Sequence, residues 1–398
     1  MVTQERYFDP SKMAHLDIED DYISMSAGIA CESYLPNLHS FASHVLATDQ
    51  TVALQYGPTA GNKKLLKLIL WLSDQFGIVN STDQLMLTNG AKDAISIVCR
   101  ALFDEDTIVI VPSPTYLTAI PIFRRTGAKI VPINQDNMGI DVDILAERLS
   151  QHSVTGKKIF LYLVPEFDNP TGSCLPLSRR QKIADLVEDF DITLIEDDPY
   201  RYIRFLGEAL PPISALLTPN RYIYIGTTSK ILAPGLRFGW ICTSTVLIEL
   251  LIQYKDDGCG CSLSQLIVAR AFETGYAQSF TKNLSERLTE NRDALIRGLY
   301  DHLPDAVFEI PQGGYFLWVT LPNHVDTAIL ASIAHKNDIS FFPGYLCFPT
   351  DPCPKNQLRL AVSCGKKGIE INQSRLLKKT FWVLISSIYA VVIQQEMQ

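Results

Sequence analysis

The 398-residue chain lacks the features that mark several classes of protein. It has no basic run or tail, and 35 Lys and Arg stand against 43 Asp and Glu for a formal net charge of −8. Nucleic acid is therefore not an expected partner. The most apolar late stretch, residues 381–393, is too short to span a bilayer, so we expect no membrane association and predict a buried C-terminal helix. We find no internal repeat and no low-complexity segment.

The nine cysteines lack the spacing of a metal site. Cys259 and Cys261 are too close-set for a zinc pair, and no His–Cys cluster lies near them, so no metal is expected. The cysteines are scattered and odd in number, and the opening residues do not resemble a signal peptide, which predicts a cytoplasmic protein. A content of 47% hydrophobic and 20% charged residues is ordinary for a globular enzyme of one large and one smaller domain.

Short apolar strands alternate with helical segments through the middle of the chain. Residues 107–111, 158–164, 192–195 and 222–226 are such strands. The alternation predicts an α/β fold with a mostly parallel sheet covered by helices on both faces. Residues 313–321 and 357–362 are predicted strands of a smaller α+β domain. We therefore predict an N-terminal arm (1–50), a large domain (51–280) and a small C-terminal domain (281–398).

Polar motifs follow several of these strands. The strand at 222–226 leads into Thr227-Thr-Ser229-Lys230, with Arg237 seven residues beyond the lysine. A lysine amine can form a Schiff base with an aldehyde, and hydroxyls with an arginine can hold a phosphate. Because open α/β sheets bind ligands at the carboxyl ends of their strands, we expect these groups to meet motifs from neighbouring strands there.

Three further positions are candidate ligand contacts. Gly90-Ala91-Lys92 opens a predicted helix, whose unpaired N–H groups form a possible anion cradle. Arg359 interrupts an apolar strand and requires an anion, either a structural carboxylate or a ligand carboxylate. Gly28 either lets the backbone approach a ligand or is a simple turn glycine.

Taken together, these motifs resemble the fold-type I pyridoxal-phosphate (PLP) enzymes, within the class I/II aminotransferases. The resemblance is strongest to the 2-aminoadipate, kynurenine and aromatic aminotransferase branch, which also supplies the C-terminal domain of MocR-type regulators. It covers residues 26–362 in family order. The matching motifs are Tyr56-Gly-Pro-x-x-Gly61, Thr88-Asn-Gly90, Pro114-Thr-Tyr116-Leu, Asn169-Pro-Thr-Gly172, Glu196-Asp-Asp-Pro-Tyr200, Ser229-Lys-x-Leu-Ala-Pro-Gly-Leu-Arg237, Gly313-Gly-Tyr-Phe-Leu-Trp318 and Leu358-Arg-Leu360.

The resemblance implies a role for each residue around the cofactor ring. Lys230 holds PLP as an internal aldimine and then moves the substrate Cα proton. Asp197 pairs with the protonated pyridine nitrogen, which keeps the ring an electron sink. Tyr200 and Asn169 hydrogen-bond the phenolic oxygen of the ring, and Tyr116 stacks on the ring.

It also implies how phosphate and substrate are held. Arg359 takes the substrate α-carboxylate, helped by Asn169 and by the arm at Gly28. Tyr56 arrives from the partner subunit of a homodimer with shared active sites. The implied phosphate ligands within the chain are Gly90, Ala91, Lys92, Thr227, Ser229 and Arg237.

The sequence departs from the family at four places. The usual Gly-Ser-Gln-Gln is Gly90-Ala-Lys-Asp93, the glutamine before Asn169 is Asp168, and Gly-Met-Phe is Gly314-Tyr-Phe316. The fourth is the segment 342–354, which is unusually rich in proline and cysteine. None of these changes touches Lys230, so PLP binding is still expected.

The resemblance implies an aminotransferase of amino acid metabolism or biosynthesis, which passes the amino group of an L-amino acid to a 2-oxo acid. The alternative is a PLP-dependent β/γ-elimination, replacement or cyclisation enzyme acting on a specialised amino acid. A PLP-sensing regulator needs an N-terminal winged-helix domain, for which we expect no room before Ser26.

Overall fold

A computed structural model describes residues 23–29, 31–79 and 81–363. The predicted helix at 381–393 and the opening residues of the chain lie outside these ranges, as does the last part of the predicted small domain.

An eight-stranded sheet forms the centre of the large domain, with strand order β2-β9-β8-β7-β6-β3-β4-β5. The pairings β3–β4, β3–β6, β6–β7 and β7–β8 are parallel, whereas β2, β9 and β5 join in antiparallel fashion. The inner strands are apolar runs buried on both faces, as a helix-covered parallel sheet requires. The strands of this sheet are β2 (Leu85–Thr88), β3 (Thr107–Ser113), β4 (Lys129–Asp136), β5 (Gly139–Ile140), β6 (Lys158–Leu163), β7 (Thr193–Asp197), β8 (Tyr222–Thr227) and β9 (Gly239–Cys242).

Helices cover the central sheet through one apolar face each. In α4, for example, Ala94, Ile95 and Val98 are buried and recur at helical spacing. The described helices are α1 (His39–Thr48), α2 (Gln50–Leu54), α3 (Lys63–Asp74), α4 (Ala91–Leu102), α5 (Ala119–Arg124), α6 (Val142–Ser153), α7 (Leu177–Asp189), α8 (Thr245–Ile252), α9 (Ser262–Glu273), α10 (Tyr276–His302) and α11 (Thr327–His335).

A second, antiparallel sheet has the strand order β10-β11-β14-β13. The 27-residue helix α10 leads to it from the large sheet. The first described strand, β1, pairs in parallel with β12, which ties the start of the described chain to this C-terminal part. The remaining strands are β1 (Ile23–Ser24), β10 (Val307–Phe308), β11 (Phe316–Thr320), β12 (Ile339–Ser340), β13 (Phe342–Pro343) and β14 (Gln357–Ala361).

The predicted fold class is confirmed: a mostly parallel sheet with helices, followed by a smaller domain built on an antiparallel sheet. The domain boundaries stay a prediction, and the one at 280/281 falls inside the continuous helix α10. Within the described ranges, no helix is long and apolar enough to cross a membrane.

Candidate active site

A cavity of about 350 Å³ opens at the carboxyl edge of the central sheet. Loops after β3, β6, β7 and β8 contribute to its wall, as does the start of α4, because parallel strands bring their carboxyl ends to one edge. The arm at residues 26–29 and the small-domain sheet complete the wall. The predicted residues that line it are Gly28, Ala91, Lys92, Tyr116, Asn169, Asp197, Tyr200, Thr227, Ser229, Lys230, Arg237 and Arg359.

Lys230 lies in the loop that follows β8. Its Nζ donates a hydrogen bond to the Gly28 carbonyl oxygen on the arm. The Tyr315 hydroxyl donates to the Lys230 carbonyl oxygen at 2.8 Å. The lysine is therefore held at both its backbone and its amine.

The start of α4 and the Thr227–Arg237 loop form one cradle. Gly90 caps α4 with φ 88°, and a Cβ there would lie 2.9 Å from the Arg237 guanidinium. Arg237 donates to the Asn89 carbonyl oxygen at 2.6 Å, and the hydroxyl oxygens of Thr227 and Ser229 are 2.9 Å apart. Unpaired helix N–H groups, hydroxyls and a cation in one place suit a phosphate.

Asp197 is the last residue of β7 and lines the cavity. Only 2% of its surface is exposed to solvent. The Tyr162 hydroxyl donates to its Oδ2 at 2.9 Å, and its buried Oδ1 has no hydrogen-bond partner among the described residues. Burial raises the pKa of Asp197 to about 7, although the Tyr162 hydrogen bond and the Lys230 charge oppose the rise. A buried carboxylate of this kind needs a cation in the cavity to compensate its negative charge.

A buried ion cluster lies behind Asp197. Glu166 contacts Arg180 and Arg204, and Asp198 contacts Arg201, with all of these side chains at least 85% buried. Glu196, also buried, accepts hydrogen bonds from the Ile213 and Ser214 amides. Four carboxyl groups, counting Asp197, thus face three arginines in this region. When all are ionised, one further positive charge balances them.

Asn169, Tyr200 and Arg359 form a connected polar group. The Asn169 amide nitrogen donates to the Tyr200 hydroxyl at 3.4 Å, and Arg359 Nη1 donates to Asn169 Oδ1 at 2.6 Å. Burial raises the pKa of Tyr200 well above its ordinary value, which keeps its hydroxyl a proton donor.

Arg359 is clamped between two aromatic rings. Its guanidinium carbon lies 4.1 Å from the Phe316 ring centre and 4.6 Å from the Phe342 ring centre. Its Nη2 donates to the Ser26 carbonyl oxygen at 2.6 Å, while the buried Nε has no hydrogen-bond partner within the described ranges. Burial lowers the pKa of Arg359, but an arginine stays charged. In the part of the chain that the structure describes, no carboxylate forms an ion pair with Arg359, so the cation suits an anionic ligand group.

Two predicted site residues do not line the cavity. Gly90 lies behind the cavity wall, where it caps the N-terminus of α4 next to the Arg237 side chain. Tyr56 is 92% exposed on the loop after α2, so the single chain does not bring it to the site.

Sequence reasoning missed Tyr162, which bonds Asp197, and Phe342, which covers Arg359. Tyr162 lies two residues before the end of the predicted strand 158–164. Its hydroxyl, within an otherwise apolar run, was the only signal that could have identified it. Phe342 carried no signal, because its place opposite Arg359 comes from the pairing of β13 with β14.

Comparison with known proteins identifies the family of this chain. Residues 21–371 match the family "Aminotransferase class I and II". The chain belongs to the class I and II aminotransferases. Aromatic-amino-acid aminotransferase 1 of Thermococcus litoralis is 34% identical over 347 residues, which cover 85% of this chain and 83% of the relative.

Two solved structures of this aminotransferase family superpose closely. The multiple substrate aminotransferase of Thermococcus profundus has a TM-score of 0.88 at 29% identity and covers 98% of this chain and 97% of its own. The kynurenine aminotransferase of Pyrococcus horikoshii, in complex with PMP, has a TM-score of 0.88 at 30% identity, with 97% and 96% covered. The chain is a PLP-dependent aminotransferase, and the predicted transamination is confirmed.

The residues of the cavity fit PLP. The unpartnered oxygen of the buried Asp197 matches a protonated ring nitrogen. The cradle at Gly90 and Arg237 matches a phosphate. No group of three or more His, Cys, Asp or Glu that could hold a metal ion occurs in the described part of the chain.

Proposed function

We propose that Lys230 is the residue that binds PLP and moves protons in this aminotransferase. Its Nζ would hold PLP at the aldehyde carbon, and as a free amine it would take the proton from the substrate Cα. PLP, when bound, supplies an electron sink for the pair that the broken Cα–H bond leaves. The observation that carries the proposal is the convergence of Lys230, Asp197 and Arg359 on one cavity.

Asp197 holds the protonated ring nitrogen in this proposal, and Tyr162 orients the carboxylate. Tyr200 and Asn169 donate hydrogen bonds to the phenolic oxygen of the ring, while Tyr116 covers its face. The support is that a buried carboxylate with an unpartnered oxygen needs a cation, which the ring nitrogen provides.

The phosphate is held by the start of α4 and by the loop after β8. Backbone N–H groups at a helix start and an arginine are strong phosphate ligands. The exposed Lys92 at the cavity wall adds a second cation where the family has glutamine, and so offsets the loss of the serine hydroxyl at Ala91. The proposed ligands are Gly90, Ala91, Lys92, Thr227, Ser229 and Arg237.

Arg359 binds the substrate α-carboxylate, and Asn169 and the Gly28 arm orient it. The aromatic rings of Phe316 and Phe342 keep water away from the guanidinium, which strengthens its attraction for the carboxylate. The lining at Ile29 and Leu117 is apolar. We therefore propose an L-amino acid donor with an apolar or aromatic side chain, in line with the names of the aromatic-amino-acid and kynurenine relatives.

The active enzyme is proposed to be a cytoplasmic homodimer of amino acid metabolism or biosynthesis, without nucleic acid or membrane partners. The exposed Tyr56 supports the dimer, as do the exposed apolar residues Val52 and Leu54 beside it. Tyr56 then reaches the phosphate of the neighbouring subunit.

The test is the first half of the reaction. Holoenzyme is mixed with single L-amino acids in the absence of a 2-oxo acid, and the loss of the visible cofactor band is followed together with the released 2-oxo acid. We expect stoichiometric conversion with apolar or aromatic donors, faster than with aspartate. An Arg359→Lys variant should raise KM strongly, because a lysine lacks the planar fork that binds a carboxylate bidentately.

Two results contradict the proposal. If no donor produces one equivalent of 2-oxo acid per site, the assigned amino-group transfer is wrong. If aspartate reacts fastest, the proposed substrate class is wrong.

A further inference from the structure

Tyr315 contacts Lys230 in two ways. Its hydroxyl donates to the Lys230 carbonyl oxygen at 2.8 Å, and its ring centre lies 5.6 Å from Lys230 Nζ. The side chain is 1% exposed. One buried aromatic residue therefore touches both the backbone and the amine of the lysine that binds the cofactor.

The Tyr315 ring is held rigidly in this position. The Val362 amide donates to the Tyr315 carbonyl oxygen at 2.9 Å, and the Tyr200 ring centre lies 6.0 Å from that of Tyr315. The preceding Gly314 has φ 78°, and a Cβ there would meet Phe167 at 2.6 Å. Gly314 thus lets the backbone pass close to Phe167, which fixes the position from which the Tyr315 side chain extends.

We propose that Tyr315 is a positioning residue for Lys230 and that its ring, with the Gly28 carbonyl, receives the lysine amine in its protonated form. This inference rests on the proposed role of Lys230. The hydroxyl fixes the peptide from which the lysine side chain extends. Methionine, usual at this position in the family, has neither the hydroxyl nor the ring, so it could not make these two contacts.

The ring and the carbonyl favour the same charge state of Lys230. The face of an aromatic ring attracts an ammonium group, and a carbonyl oxygen accepts its hydrogen bond. When the released amine takes the substrate Cα proton, Nζ gains a positive charge that both groups stabilise. Removing the ring therefore lowers the proton affinity of the amine.

The cavity holds other groups that act on the same amine. Asp197 favours the charged form of the Lys230 amine, and the three nearby cations disfavour that form. The tyrosines Tyr116 and Tyr200 can change the hydrogen bonding of the amine. All of them are retained in each Tyr315 variant, and Tyr315→Phe keeps the ring that packs on Tyr200, so the comparison of the two variants separates the ring from the hydroxyl. These groups are Asp197, Tyr116, Tyr200, Lys92, Arg237 and Arg359.

Two substitutions separate the hydroxyl from the ring. Tyr315→Phe removes the hydroxyl alone, and Tyr315→Met removes both. The full-length protein is freed of cofactor and mixed with PLP across a pH series, and the rate at which the visible band of lysine-bound PLP appears is measured. With PLP at saturation, so that binding through Asp197 does not limit the rate, the midpoint of the rate against pH reports the pKa of the amine, and the plateau reports its positioning.

We expect Tyr315→Phe to keep the wild-type midpoint and to lower the plateau rate several-fold. Tyr315→Met should lower the midpoint by about one pH unit, since a cation–ring contact is worth about 0.5–2 kcal/mol. Below the midpoint, Tyr315→Met should therefore react up to about tenfold faster than Tyr315→Phe, although it lacks more of the side chain.

Equal midpoints in all three proteins overturn the role of the ring, and an unchanged plateau in Tyr315→Phe overturns the role of the hydroxyl. Thermal unfolding checks that each variant folds, and Tyr315→Leu replaces Tyr315→Met if the latter does not. Borohydride reduction and peptide mapping of the wild type provide the separate control. If Lys230 carries no PLP there, the proposed function fails rather than this inference.

Discussion

The Tyr162 hydroxyl, on strand β6, donates a hydrogen bond of 2.9 Å to Asp197 Oδ2 at the end of the neighbouring strand β7. Both side chains are buried, and the second oxygen of Asp197 has no hydrogen-bond partner within the described residues. The hydrogen bond favours the ionised carboxylate, whereas burial opposes it and raises the pKa of Asp197 to about 7. This pair therefore sets the pH range in which Asp197 can hold a cation.

We expect Tyr162→Phe to move the pH dependence of PLP binding. In the wild type, affinity should fall as pH drops through about 7, because Asp197 then takes up a proton. Without the Tyr162 donor the carboxylate is less stable, so the midpoint should rise by about one pH unit. Fluorescence titration of the cofactor-free protein with PLP from pH 5.5 to 9 measures it.

Tyr222→Phe is the matched control for this titration. Tyr222 is a buried strand tyrosine of β8 whose hydroxyl bonds the Ile78 carbonyl oxygen, away from the cavity. It should leave the midpoint at the wild-type value. A midpoint that moves equally in both variants would show that Tyr162 acts through general stability and not through Asp197.

Glu166→Gln should destabilise the protein strongly. Glu166 contacts Arg180 and Arg204 in the buried cluster, and the substitution leaves both buried cations without the carboxylate that pairs with them directly. Breaking such a buried pair typically costs about 3–5 kcal/mol in the free energy of unfolding. Urea unfolding of the cofactor-free protein measures the loss.

Asp136→Asn is the counterpart on the surface. It removes the half-exposed carboxylate that pairs with Arg179. Arg179 lies on α7, next to the Arg180 of the buried cluster. The cost of the substitution should stay below about 1 kcal/mol. If the two variants lose the same stability, the buried cluster does not carry the weight assigned to it.

Gly28→Ala should weaken substrate binding with little effect on PLP. A Cβ at Gly28 would lie 2.2 Å from the Phe316 ring, which packs on Arg359. Either the arm or the ring must move, and the guanidinium moves with it. We expect KM for the amino acid to rise about tenfold, a loss of about 1.4 kcal/mol in binding.

Steady-state kinetics with saturating 2-oxo acid measure this effect. Gly235→Ala serves as the control, because a Cβ there meets nothing within 4 Å. A change in KM that is no larger in Gly28→Ala than in Gly235→Ala would mean that the arm does not support Arg359.

The sequence was sufficient for the sheet and for most of the cavity, for a physical reason. Strand-end motifs such as that at Lys230 need only the rule that parallel strands share a carboxyl edge. The Phe342 cover of Arg359 could not be predicted, because it depends on the register of two strands whose paired residues, Phe342 and Arg359, lie 17 residues apart in the chain. The Glu166 cluster likewise joins side chains from three separate segments, and no local pattern marks such pairs.

The most direct test of the account is the identity of the lysine that binds PLP. Holoenzyme is reduced with borohydride, digested, and the peptide that carries the cofactor mass is sequenced. We predict that Lys230 alone is labelled and that Lys230→Ala loses both the label and the visible band while it remains folded. Labelling of Lys92, the other lysine in the cavity, or a visible band retained in Lys230→Ala would contradict the assignment.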